Sequence, residues 1–343
     1  MPKEEQSRGL DSRYSRQILF PGIGLAGQER IRLASVAIVG VGALGSFQAM
    51  AMSRAGIGRL HLIDRDYVDL SNLHRQWLYE EEDAESGVPK AIAAKKRLER
   101  INSEVQYTAE ISDLTSGNAQ ELLDHADLIL DGTDNFETRY LINDFAVSRR
   151  IPWIYGGAVA STGIVMPVLP FETACLRCIY PTPPGGVQMT CDTAGILATA
   201  ASLIASLQVS LAIRVLVGER PAGDIMTADV WTGKIRTVAA PGRDPDCPCC
   251  AAANYEWLDG AHRAPVSLCG RNAVQIHEKH RPLDLVALGR QLAPLGQVRA
   301  NEFALRFFLE PYEMTFFPDG RAIIKGTTDP GVARSLYARY AGA

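Results

Sequence analysis

Residues 36–46, VAIVGVGALGS, constrain this chain more than any other stretch. A short apolar run from Val36 ends in Gly40-Val41-Gly42-Ala43-Leu44-Gly45, and a helical pattern follows over Leu44–Ala55. Glycines at this spacing permit a tight turn, close approach of backbone N–H groups to phosphate, and close packing of helix on strand. The N-terminus of the helix favours an anion. Asp64 ends the next apolar run, nineteen residues after Gly45, where a carboxylate can accept hydrogen bonds from ribose hydroxyls. Strand, turn, helix and acid together predict a nucleotide site. Taken alone the motif points to NAD or FAD, and a glycine-rich turn without a ligand is the ordinary alternative.

The same alternation continues down the first half. Strand-like segments at Arg59–Ile63, Val105–Ile111, Asp127–Leu130 and Pro152–Tyr155 alternate with helix-like ones at Pro89–Asn102, Asn118–His125 and Glu137–Arg149. This predicts an α/β fold, a Rossmann-like and mainly parallel sheet with helices on both faces. STGIVMPVLP (161–170) and DIMTADVWTGKIRTV (224–238) add antiparallel strands toward the end of that domain. A Pro/Cys-rich stretch at 241–250 and a polar one at 259–265 mark a boundary. The expected domains are 1–258 and a small C-terminal α+β domain, 259–343, in which Pro318-Asp319-Gly320 makes a hairpin turn.

Residues 194–218 form an apolar stretch long enough to span a membrane. Ser202, Ser206, Gln208, Ser210 and Arg214 interrupt it, so it reads as a core or subunit-interface helix, with no membrane partner. A net charge of −4 gives no reason to expect nucleic acid. The polar N-terminus is unlike a secretory signal. The seven cysteines then point to a reducing, cytoplasmic compartment and to metal or thiol chemistry.

A second set of residues argues against a hydride-transfer site. RDYVDLSNLHRQ (65–76) holds Asn72, Arg75 and Gln76 in one short polar loop, and Lys90 opens a helix after Pro89. DLILDGTDNFETR (127–139) puts Asp131, Asp134 and Asn135 at the C-terminal end of a buried strand. Ligands of open α/β sheets bind beyond the C-terminal strand ends, so Asn72, Arg75, Lys90 and Asp134 are expected to converge. Two cations, an amide and a carboxylate suit a triphosphate and its Mg2+. Singly, each has an ordinary alternative: Lys90 as a solvated helix lysine, Asp134 as a helix cap.

RYSRQI (13–18), VGVGALGS (39–46), LIDRDYVDLSNLHRQ (62–76), GVPK (87–90), DGTDN (131–135), CLRC (175–178) and CDTAGIL (191–197) follow one another over residues 11–250. In that combination the chain resembles the MoeB and ThiF adenylyltransferases, relatives of ubiquitin-activating enzymes, and is nearer to ThiF. The resemblance implies ATP rather than NAD. It also implies a ubiquitin-like sulfur-carrier protein ending in Gly-Gly, of ThiS or MoaD type, as the partner. The carrier's tail carboxylate would attack the α-phosphate, giving an acyl-adenylate and pyrophosphate, for thiamine or molybdopterin synthesis. By position, Gly40, Gly42, Gly45, Asp64, Ser71 and Asn135 would line the nucleotide, with Asp64 on the ribose. Asn72, Arg75 and Lys90 would contact phosphates, Asp134 would hold Mg2+, and Arg16 would reach the partner subunit's ATP in a homodimer. A sulfurtransferase or cysteine desulfurase would be a further partner. A carboxylate nucleophile needs positioning and charge neutralisation rather than a strong base. The rivals are adenylation of another carboxylate or a tRNA base, a non-catalytic nucleotide-binding scaffold, and an NAD-dependent oxidoreductase.

Cys175 with Cys178 and Cys247 with Cys250 form two C-x-x-C pairs, the ligand set of a closed, structural Zn2+ site. Cys249 is an alternative to Cys250. Cys191 follows the Pro/Gly-rich segment PTPPGGVQ, expected to be a mobile loop. It reads either as a thiol that links covalently to the carrier, as the resemblance implies, or as a small residue near a cap, with Asp192 or Thr193 capping the helix that follows. Cys269 reads as a core thiol in a strand. It is the only cysteine of residues 264–343, which argues against a persulfide-forming domain there and leaves carrier docking or plain stabilisation as the segment's role.

Overall fold

The computed structural model describes residues 13–184, 191–261, 267–268, 273–277 and 282–342. They form two compact units: one of residues up to 84 together with 89–261, the other of 85–88 together with 262–343.

The first unit is built on an eight-stranded sheet in the order β3-β2-β1-β4-β5-β6-β7-β8. Its strands are β1 (Ser35–Val39), β2 (Arg59–Ile63), β3 (Gln106–Glu110), β4 (Leu128–Asp131), β5 (Trp153–Val159), β6 (Thr162–Val168), β7 (Ile225–Asp229) and β8 (Lys234–Val238). The five strands from β3 to β5 run parallel. They are joined through helices α3 (Ala43–Ala55), α5 (Lys90–Ile101), α6 (Ala119–Leu123) and α7 (Phe136–Arg149). β6, β7 and β8 then fold back antiparallel. Short helices α1 (Ser15–Ile18) and α2 (Gly24–Leu33) precede the sheet, and α4 (Glu81–Glu85), α8 (Leu176–Ile179) and α9 (Cys191–Ala194) lie in its connections. The α/β reading therefore holds, with parallel and antiparallel halves where the patterns set them.

The long apolar stretch resolves into α10 (Ala198–Leu216), which by length and composition alone would pass for a membrane span. Its Ala200, Ala201, Ile204, Ala205, Gln208 and Ala212 are buried, and it packs on α3, β5 and β6. Close approach explains the alanines and the opposing glycine: a Cβ on Gly163 of β6 would lie 2.2 Å from the Ile204 side chain. The helix begins later than the apolar pattern. Gly195 and Leu197 exchange backbone hydrogen bonds with Ala160 at 2.9 Å, so Ile196 forms a parallel bridge with Ala160, and Gly195 turns the chain at φ 72° before the helix. The N-cap is Leu197 and no side chain caps it. This corrects the expectation that Asp192 or Thr193 caps that helix.

The second unit carries a six-stranded sheet, β11-β12-β13-β14-β10-β9. Its strands are β9 (Ser267–Leu268), β10 (Ala273–His277), β11 (Gln297–Ala300), β12 (Leu305–Leu309), β13 (Tyr312–Phe316) and β14 (Arg321–Lys325), all antiparallel. Helices α11 (Leu285–Leu292) and α12 (Pro330–Tyr340) cover one face and bury Leu288, Leu292, Phe307, Met314, Phe316, Ile324 and Tyr337. Asp284 and Asp329 cap these helices, accepting N–H groups of their first turns. The 318–320 turn joins β13 to β14 as expected, with Gly320 at φ 86°. The reading of Cys269 as a core thiol falls outside the described residues.

The turn after β1 fixes where everything else sits. A Cβ on Gly45 would lie 1.9 Å from the Gly40 carbonyl oxygen, and one on Gly132, after β4, 2.1 Å from the same atom. Helix α3, strand β1 and the β4 loop thus meet backbone to backbone. Gly45→Ala is expected to destabilise the unit by more than about 4 kcal/mol, because a backbone clash has no flexible partner to yield. Gly42→Ala should cost much less, since its Cβ would meet nothing nearer than Gln76 Nε2 at 3.8 Å. Denaturant unfolding of the two variants checks this; equal losses would refute it.

Candidate active site and metal centre

The residues singled out by sequence gather along the C-terminal ends of β1, β2 and β4. Asp64, at the end of β2, is buried, and its carboxylate reaches back to the glycine turn: Val41 donates its N–H at 2.6 Å and Asp66 at 2.7 Å. Burial pushes this carboxyl above its ordinary value, and the nearby Lys90 opposes that shift. Lys90 is 3% exposed, not a solvated helix lysine. Its Nζ pairs with Asp66 Oδ2 at 3.2 Å and its backbone N–H donates to the Asp66 carbonyl at 2.8 Å. Pro89, one residue earlier, bridges Tyr67. Fixed φ at Pro89 and these two bonds set Lys90 at the first position of α5.

The polar loop forms a short 3-10 turn, Leu70–Asn72, capped by Asp69, which accepts Ser71 N–H at 2.9 Å and Ser71 Oγ at 2.7 Å. Asn72 is buried with its Nδ2 toward Ser71 Oγ at 3.4 Å, and half-buried Arg75 folds back to donate to the Ser71 carbonyl at 2.7 Å. Tyr79 ties this loop to the glycine turn by donating to the Val41 carbonyl at 2.6 Å. Gln76 is buried beside Gly42, and its Oε1 has no hydrogen-bond partner among the described residues. A buried acceptor in that state marks where a donor from a bound ligand or water fits.

In the DGTDN loop the two aspartates differ completely. Asp131 is fully buried and accepts Thr133 N–H and Oγ1 at 2.9 and 2.7 Å and Arg139 Nε at 3.1 Å. Arg139 also donates to the carbonyls of Thr133 and Gly156 and lies over the rings of Phe136 and Tyr155. Burial works against its charge, but Asp131, with Tyr155 and Asp134, holds the guanidinium above its ordinary value. Asp134, in contrast, is exposed. It is not the helix cap; that is Asn135, whose Oδ1 accepts Thr138 N–H at 2.9 Å. Asn135 thereby commits its oxygen to α7 and leaves Nδ2 as the side-chain group that could face a nucleotide. Sequence reasoning missed Arg139 and Gln48. Gln48 on α3 and Gln208 on α10 both donate to the Asp131 carbonyl, at 2.9 and 2.8 Å, from wholly buried positions. Their signal was present as lone polar residues in apolar helices.

Arg16 belongs to the RYSRQI motif at the start of the described chain. Arg13, Tyr14 and Gln17 pin that segment inward, onto Asn102, Glu104 and Gln28. Arg16 is left exposed. Cys191 opens α9, but its side chain and residues 185–190 lie outside the described residues.

The Sγ atoms of Cys175, Cys178, Cys247 and Cys250 all lie within 4.8 Å of one another. Three of the separations are 3.5, 3.6 and 3.8 Å. Tetrahedral Zn–S bonds of about 2.3 Å require S–S edges of about 3.8 Å, so the cluster fits zinc closed by four thiolates. Cys249 is not one of those four, and Asn143 Nδ2 donates to its sulfur at 3.3 Å. Of the two, Cys250 is the one grouped with Cys175, Cys178 and Cys247. Asn143 also accepts Leu176 N–H at 2.8 Å, coupling α7 to the CLRC turn. Beside it, burial pushes the Asp144 carboxyl up to about 6. The cysteines join the same apolar cluster as β4, β5 and α7.

A sequence profile described as the ThiF family matches residues 14–249. The chain is 41% identical over 338 residues to the sulfur carrier protein ThiS adenylyltransferase of Bacillus subtilis (strain 168), covering 97% of this chain and 100% of that protein. It is 40% identical over 246 residues to a sulfur carrier protein adenylyltransferase of Thermus thermophilus, covering 69% of this chain and 90% of that protein. The crystal structure of E. coli MccB with MccA-N7isoASN superposes with a TM-score of 0.63 at 22% identity, over 73% of this chain and 83% of that one. At that identity the superposition speaks for the fold.

Two outcomes follow from the geometry. Asp131→Asn is expected to leave Arg139 buried without its counter-charge and to cost about 3–5 kcal/mol in urea unfolding; unchanged stability would contradict it. Cys178→Ser should lose bound zinc by elemental analysis, whereas Cys249→Ser keeps it; the reverse pattern would assign the ligands wrongly.

Proposed function

The chain belongs to the ThiF family, and from that premise we propose that it activates a ubiquitin-like sulfur-carrier protein by ATP-dependent adenylation of its C-terminal Gly-Gly carboxylate. The observation that carries this choice is the 41% identity to a ThiS adenylyltransferase, which runs through both units rather than through the nucleotide-binding unit alone. The thiamine-linked carrier is therefore the first assignment.

The chemistry asks little covalent work of the protein. The carrier carboxylate attacks the α-phosphate, the α–β bridge breaks, and pyrophosphate leaves. The barrier lies in bringing two anions together and in the charge that grows on the leaving group. In this reading the glycine turn and the N-terminus of α3 receive phosphate, and Asp64 receives the ribose. Asn72, Arg75 and Lys90 neutralise phosphate charge, with Ser71 and Asn135 beside them. Asp134 is the carboxylate that would hold Mg2+, which supplies charge neutralisation when bound. Its exposure suits that role, as the burial of Asp131 suits a structural one. Exposed Arg16 is proposed to serve a second subunit's site, and Cys191 to meet the carrier's activated tail. A homodimer, a sulfurtransferase or cysteine desulfurase partner and a cytoplasmic setting belong to the same reading.

ATP–pyrophosphate exchange with a ThiS-type or a MoaD-type carrier tests it. Exchange with the ThiS-type carrier alone is expected; exchange with neither would move the activity to another carboxylate. Asp134→Ala should lower exchange by about 100-fold or more with the melting temperature retained, and Lys90→Ala should lower it as much while also losing stability, since Asp66 loses its partner. Near-normal exchange in either would remove that residue from the site. Cys191→Ser should leave adenylation intact.

A further inference from the structure

Val41 sits between two glycines, and the peptide groups on either side of it are held by different partners. The peptide before it is fixed through the Val41 N–H, which donates to Asp64 Oδ2 at 2.6 Å. The peptide after it is fixed through the Val41 carbonyl, which accepts the Tyr79 hydroxyl at 2.6 Å. That second peptide is trans and planar, so its N–H, which belongs to Gly42, points away from Tyr79. No acceptor meets the Gly42 N–H among the described residues. The space beside its Cα is open as well: a Cβ there would meet only Gln76 Nε2, at 3.8 Å. Gly42 is also the N-cap of α3, where an uncommitted N–H suits an anion.

Tyr79 is itself firmly placed. It is buried, and two residues earlier the Trp77 N–H donates to Ser46 Oγ at 3.1 Å. The Ser46 N–H in turn closes the first turn of α3 onto the Gly42 carbonyl at 3.0 Å. The segment that carries the phenol is thereby fastened to the helix turn that carries Gly42. Burial, with Asp64, Asp83 and Asp66 nearby, holds the phenol well above its ordinary value, so it acts as a donor. We propose that Tyr79 is a positioning residue for adenylation: it holds the Val41–Gly42 peptide so that the Gly42 N–H is aimed at the phosphates of the nucleotide. The inference rests on the assignment of the glycine turn to the ATP phosphates. Glycines give the turn more backbone freedom than a ligand site can use. Asp64 removes that freedom from one peptide and the Tyr79 hydroxyl from the next.

Tyr79→Phe tests this, because it removes the hydroxyl alone and keeps the ring in the core. Calorimetric titrations with ATP and Mg2+, and with adenosine, read the result. ATP is expected to bind about tenfold more weakly, and adenosine as it does to the wild-type protein. A role confined to stability would leave the ratio of the two affinities unaltered, since unfolding removes both sites together. The Gly42 amide resonance gives a second readout: in wild-type protein it should shift with ATP and not with adenosine, and in Tyr79→Phe the ATP shift should shrink. The wild-type ratio of affinities in Tyr79→Phe would overturn the proposal alone. Wild-type protein that binds ATP no more tightly than adenosine would instead refute the phosphate reading, and the proposal with it.

Discussion

Helix α3, strand β1 and the loop after β4 meet at the Gly40 carbonyl oxygen, with the backbones of Gly45 and Gly132 too near it to admit a Cβ. The crossing aims the N-terminus of α3 and the exposed carboxylate of Asp134 at the same edge of the sheet. It also forces the polar backbone of the DGTDN loop into the interior. The buried carbonyl of Asp131 is met by side chains, and its buried carboxylate by backbone N–H groups of Thr133 and Gly156 together with Thr133 Oγ1 and Arg139.

That requirement explains the buried polar residues that have no part in the proposed chemistry. Gln48 and Gln208 approach the Asp131 carbonyl from two helices, and Arg139 joins the Asp131 carboxylate to the Gly156 and Thr133 carbonyls. The loop is thereby held from every side while Asp134, three residues along, stays in solvent. One motif thus contains a structural acid and a candidate ligand, distinguished by burial.

The cysteine cluster and the second unit solve a similar problem at other places in the chain. The 247–250 turn has no strand to join; four sulfurs at zinc-fitting distances fasten it to the CLRC turn, and Asn143 carries that attachment into α7. Within the second unit, Asn301 donates to the carbonyls of Ser86 and Gly87. In both cases irregular chain is fixed by groups distant in sequence.

The periods of the apolar residues and the glycine spacing determined the sheet, its helices and the tight turn after β1, and the two C-x-x-C pairs marked the cysteines that cluster. Each is a local pattern whose physical meaning is carried by neighbours a few residues apart. Lys90 and Asp64 were legible for the same reason, since proline before a helix and an acid after a strand have fixed positions. The sequence could not separate Asp131 from Asp134, assign the cap to Asn135, or choose Cys250 over Cys249. Each choice depends on which side chain the packing turns inward, and adjacent residues in a loop carry no period that reveals it. Asn301 lies more than two hundred residues from the peptide it holds, so only tertiary structure could pair them: a hydrogen bond between a side chain and a remote backbone leaves no trace in composition or spacing.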